Sequence, residues 1–147
     1  VETLRSTEGI QLYVAPGTKR ILVQTGTGWL FLSRRPRDEA RAVYDSTVRA
    51  GEIDATKFSK WSYRERLKDH RRRTISFVRA RDLVLPVAHW GGGMVSILCP
   101  VPPGHRPLAL CVGGPAERLE AKLPEISRYL KAQTANIARS IKSLPAK

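Results

Sequence analysis

The side chains best suited to nucleophilic or metal chemistry in this sequence are Cys99, Cys111, His70, His89 and His105. A thiol attacks as its thiolate and needs a base or a cation in reach. Both cysteines stand inside apolar, strand-like runs, "MVSILCPV" and "LALCV", where thiols are inert packing groups, and no histidine is spaced to serve them. No C-x-x-C occurs, nor any Cys and His pair at zinc spacing. The expectation is a protein without catalysis, metal or cofactor, with both thiols free and buried in a reducing cytoplasm. The remaining chemistry is of two kinds. Small and hydroxyl-bearing residues stand where bulk would be usual, in "TGTGWLFLS" (25–33) and in "LALCVGGPAERLE" (108–120). The other kind is a concentration of positive charge.

The chain of 147 residues carries a formal charge of +13. Ten Lys and Arg against three acids fall within residues 57–82, so more than half of the excess lies in about one sixth of the chain. Such a patch attracts nucleic acid, acidic proteins or small anions. Hydrophobic residues at 41% and charged residues at 27% describe a globular domain of ordinary size with one core. No apolar run approaches the ~20 residues of a membrane span, and the start, "VETLRSTEGIQLYV", lacks the pattern of a signal peptide. It also lacks an initiator Met and reads as the end of one element, so a piece of a longer protein is expected.

The elements that would carry these residues follow from pattern. "IQLYVAP" (10–16) reads as a strand turned by Pro16-Gly17. "TGTGWLFLS" reads as a buried helix capped by Thr25 or Thr27. Pro36, Asp38 and Glu39 open a second helix reaching about Val48, and Ser62-x-x-Glu65 suggests a capping box for a third, which bears much of the basic run. Short β-rich segments follow at 74–78, 83–88, 94–101 and 108–112, separated by Gly and Pro. A last helix begins at Pro124, with Ile126, Leu130, Gln133, Ile137, Ile141 and Leu144 in one stripe. Helices flanking a run of strands predict an α+β fold with a mostly antiparallel sheet.

In "CPVPPGHRPLALC", Gly104-His105 as a two-residue type II′ turn places Leu98 opposite Cys111 and Ser96 opposite Gly113. Opposed residues share a sheet face. Ser96, Leu98, Cys111 and Gly113 then form one small mixed patch, with a hollow at Gly113 and Cys99 turned to the other face.

The order of "LVQTGTGWLFLS", "LKDHRRRTISFV", "ILCPV", "LALCVGGPAERL" and a final amphipathic helix resembles the C-terminal effector-binding domain of the IclR family of bacterial transcriptional regulators. The resemblance implies a GAF-like fold over residues 1–147, lacking its first elements and the upstream winged helix-turn-helix domain that binds DNA in the family. It further implies a homodimer or tetramer and a small-molecule effector, seated between the sheet and the small-residue helix. Carried onto this chain, the lining is Leu12, Gly26, Thr27, Ser96, Cys111 and Gly113, and the hairpin register adds Leu98 to the candidates. Helix-start amides and the hydroxyls of Thr27 and Ser96 favour an anionic organic acid. The segment after residue 77 departs from the family in being longer and basic, and Arg79 there is a candidate carboxylate clamp. The rival reading is a basic nucleic-acid-binding domain using residues 57–82, with Trp61, Tyr63 and Phe77 as its aromatic surface.

Overall fold

The computed structural model describes residues 17–83 and 91–142. The expected strand at 10–16, most of the segment 83–88, His89, Leu12 and the Leu144 end of the last helical stripe lie outside them. Leu83 itself ends a 3-10 turn at Ala80–Asp82.

A 3-10 turn at Leu22–Gln24 leads into helix α1 (Gly26–Leu32). Thr25 is its N-cap, its hydroxyl accepting from the Gly28 amide at 3.0 Å. Helix α2 (Arg37–Arg49) starts after Pro36, with Asp38 and Glu39 in its first turn. Helix α3 (Lys60–Arg71) is capped by Ser59, whose hydroxyl accepts from the Ser62 amide, and not by a box on Ser62 and Glu65. The earlier serine wins because it is the last extended residue, at φ −68° and ψ 156°, before the helix begins.

Among the described residues, three strands form one antiparallel sheet in the order β1 (Ile75–Arg79), β2 (Gly92–Leu98), β3 (Ala109–Pro115). The fold is therefore α+β with an antiparallel sheet and helices on both sides. Alternation sorts its faces. Ile75, Phe77, Val95, Ile97, Leu110 and Val112 pack with Leu119 and Leu130 of α4 (Ala116–Ala121) and α5 (Leu123–Lys142). The other face carries Ser76, Val78, Met94, Ser96, Leu98, Cys111 and Gly113.

The second apolar cluster lies beside that face and joins Trp29, Leu32, Tyr44, Ile53, Phe58, Tyr63 and Val78. Its two tyrosines are fixed by their polar ends: Tyr63 donates to the Ala40 carbonyl at 2.8 Å and Tyr44 to the Phe58 carbonyl at 2.6 Å. Tyr63 is thus buried and Phe77 half-buried on the α5 side, so of the expected aromatic surface only Trp61, 70% exposed, faces solvent.

The β2–β3 register differs from the expected one by two residues. Ser96 stands opposite Cys111, Met94 opposite Gly113, and Leu98 opposite Ala109. The turn is the reason. The His105 amide donates to the Pro102 carbonyl at 3.2 Å, and Gly104 sits at φ +84°. Proline at the first central position and a positive-φ glycine at the second make a type II turn, where a two-residue type II′ turn on Gly104-His105 was expected. The prolines donate no ladder bonds, so the strands separate earlier.

Candidate functional site

Thr27 is the second residue of α1, and its side chain points at the sheet. Its hydroxyl shares a 2.7 Å hydrogen bond with the Ser96 hydroxyl and lies 3.6 Å from Cys111 Sγ and 3.9 Å from Met94 Sδ. Ser96 is 1% exposed. The approach of helix to sheet depends on Gly26: a Cβ there would run into Val78 Cγ2 and lie 3.1 Å from Ser76 Oγ. Sequence therefore places the hydroxyl twice over, through a cap that starts α1 at Gly26 and through a glycine that lets it come close.

A buried polar chain continues from Ser76, directly opposite Ser96 across the strands. His70 Nδ1 lies 2.8 Å from the Arg66 carbonyl and so carries the proton it donates. Nε2 then accepts from the Ser76 hydroxyl at 2.9 Å. Burial holds the His70 pKa below its ordinary value, which keeps the ring neutral. With both nitrogens engaged, this histidine orients Ser76 and serves neither thiol. Sequence reasoning missed His70 as part of the site; a lone His ending a basic helix gives no local sign that it folds inward.

Of the expected lining, the structure brings Gly26, Thr27, Ser96 and Cys111 together, with Leu98 on the same face two residues beyond Ser96. Gly113 follows Cys111 on that face and is exposed; a Cβ there would touch only Gly93 O and Met94 Cε, each at 3.9 Å. Arg79 does not join them. It continues the parity of Ile75 and Phe77, opposite Gly93, and reaches the Glu120 carboxylate of α4 on the far side of the sheet. Cys111 is exposed where burial was expected, because β3 is paired on one side only among the described residues. Cys99 is buried, and burial pushes its thiol pKa up.

The arrangement is a small polar seat: two hydroxyls, one thiol and one thioether, open toward β3, with no charged side chain bonded to it among the described residues. Thr25 already occupies the Gly28 amide, so fewer helix-start donors remain than the sequence suggested. Two open depressions lie elsewhere, one lined by arginines at the α1–α2 junction and one between β3 and α5. Neither touches Thr27 or Ser96. Among the described residues, no three His, Cys, Asp or Glu side chains gather to hold a metal, and no helix is long and apolar enough to cross a membrane.

Comparison with solved structures finds the same fold in a crystal structure described as the effector domain of the putative transcriptional regulator IclR from Acinetobacter sp. ADP1. The TM-score is 0.64, with 17% identity over 95% of this chain and 76% of that one. No family model matches the sequence, and no curated protein matches it.

Proposed function

We propose that this chain is the small-molecule-sensing domain of an IclR-type transcriptional regulator, binding an effector between α1 and the sheet without turnover. The observation that carries the reading is the convergence of Thr27, Ser96 and Cys111 on one open face, on a fold shared with an IclR effector domain. The effector is a small organic acid. With Arg79 on the far face, its carboxylate is held by hydroxyl donors and not by a cation: the Thr27–Ser96 pair opens, and both O–H groups turn to the ligand. Gly113 leaves room beside them. DNA recognition belongs to a winged helix-turn-helix domain outside this chain, and the regulator works in the cytoplasm as a homodimer or tetramer. Support for self-association is the outer edge of β3, unpaired among the described residues, and the exposed Tyr129 of α5 beside it.

A thermal-shift screen of small organic acids, each beside its neutral amide, tests the reading. A binding acid stabilises by about 2.7 kcal/mol at a hundred times its Kd. Gly113→Leu and Thr27→Val should each abolish most of that shift. An acid that shifts both variants as much as the wild type would place the site elsewhere. A shift given only by neutral or cationic compounds would remove the carboxylate and leave the seat.

A further inference from the structure

The α1–α2 junction and the C-terminus of α3 meet at a depression lined by Ser33, Arg34, Arg35, Pro36, Arg37 and Arg71. Four of the six lining residues are arginines and none is acidic. Two of them are built into the fold. Arg34 donates to the Arg71 carbonyl at 2.5 Å and to the Arg73 carbonyl, and Arg71 Nε donates to the Ser33 carbonyl at 3.0 Å. Their partners are neutral, so the charge of both guanidiniums stays uncompensated. Arg35 is paired with Glu39 at 3.3 Å and Arg73 with Asp69 at 2.7 Å. The side chains of Arg37 and Arg72, both exposed, make no ion pair or hydrogen bond among the described residues.

The positive surface continues from this depression along α3. Arg64, Lys68 and Arg72 are exposed and follow one another at four-residue intervals on one side of the helix. Successive cations are therefore ~6 Å apart along its axis. The acids nearby are few: Glu65 lies 3.9 Å from Lys68, Asp69 is held by Arg73, and Asp38 and Glu39 stand in the first turn of α2.

We propose that this surface docks the sugar–phosphate backbone of duplex DNA, independently of the effector seat. An isolated phosphate ion would find an open seat in which two guanidiniums have committed donors to carbonyls, and water would compete well. A strand carrying a phosphate every ~3.4 Å of axis instead meets the depression and the α3 cations together, and gains by releasing counterions. Backbone contacts carry no base information, so the docking is sequence-blind.

The test is duplex binding by the 147-residue chain, followed by fluorescence anisotropy across a salt series. The double variant Arg37→Gln/Arg72→Gln should lower the slope of log affinity against log salt by about 2, at ~0.9 for each phosphate that is no longer neutralised. The control Arg128→Gln/Lys131→Gln removes the same charge from α5, well away from the depression, and should leave the slope unchanged. Circular dichroism melts of both variants should match the wild type, since none of the four side chains is buried. An unchanged slope in the first variant, or an equal fall in the control, overturns the proposal. So does competition by inorganic phosphate beyond that of chloride at equal ionic strength, which would mark a discrete ion seat, or tighter binding of poly-glutamate than of the duplex.

Discussion

Gly26→Ala should destabilise the protein although alanine is the better helix former. The added methyl would run into Val78 Cγ2 and stand 3.0 Å from Val78 Cβ and 3.1 Å from Ser76 Oγ. Val78 is β-branched, buried and part of β1, so it has no free rotamer to retreat into. Overpacking of this kind costs about 1–3 kcal/mol, and the reduced freedom of the unfolded chain returns about 0.4–1. At the middle of both ranges the net loss is about 1.3 kcal/mol, which for a chain of this length lowers the thermal midpoint by roughly 3–5 °C. Gly113→Ala is the matched comparison. Its φ is not positive and its Cβ would meet atoms only at ordinary contact distance, so the same chain-entropy gain stands unopposed there and the change should stabilise by about 0.4–1 kcal/mol. Urea unfolding of both variants decides, with m-values checked for constancy. A Gly26→Ala protein as stable as the wild type would refute the close approach of α1 to the sheet. Equal losses at both positions would refute the claim that Gly113 faces open space.

A double-mutant cycle on Thr27→Val and Ser96→Ala should show a coupling of about 1 kcal/mol, with Thr27→Val the costlier single change because it strands a buried hydroxyl; purely additive losses would deny the bond. The buried, neutral His70 has its folded pKa below the unfolded value. Its contribution is whole above about pH 6.5 and is lost as pH falls through that value toward the folded pKa. Melts from pH 8 to pH 5 should therefore fall more steeply in the wild type than in His70→Gln, and parallel curves would contradict this. With a disulfide-exchange reagent, Cys111 should react quickly in the native protein and Cys99 only on unfolding; two fast thiols would contradict the burial of Cys99.

What could be read in advance divides by range. A threonine cap at 25 or 27, the start of α2 after Pro36 and the stripe of α5 as far as Ile141 depend on neighbours within a turn, and they were legible. The shared face of Ser96, Leu98, Cys111 and Gly113 was also legible, despite a wrong turn type. The error in register was two residues, and a slip of two restores every side chain to its own face, whereas a slip of one would have exchanged the faces. Arg79 was misplaced although the alternation Ile75, Phe77, Arg79 assigns it to the far side; the family resemblance pointed to the pocket, and strand parity decides otherwise. Two features had no local signature at all. The inward turn of His70 requires that Ser76, six residues on in β1, face α3, which the packing of helix on strand decides. The meeting of Arg34, Arg35 and Arg37 with Arg71 requires that α1 and α3 end side by side, which is a property of tertiary packing.

The two apolar clusters lie apart, and the serines at 76 and 96, each 1% exposed, stand in the sheet between them. Apolar contact propagates cooperativity; a hydroxyl seam interrupts it. The cluster built on Trp29, Tyr44, Phe58 and Tyr63 and the one built on Val95, Ile97, Leu119 and Leu130 should therefore open as two units of unequal stability. Native-state hydrogen exchange should resolve them as two sets of amides with distinct opening free energies, with the amides of α1 exchanging at the lower of the two. Whatever binds at Thr27 would act as a clasp across that seam and bring the two units toward a single opening event.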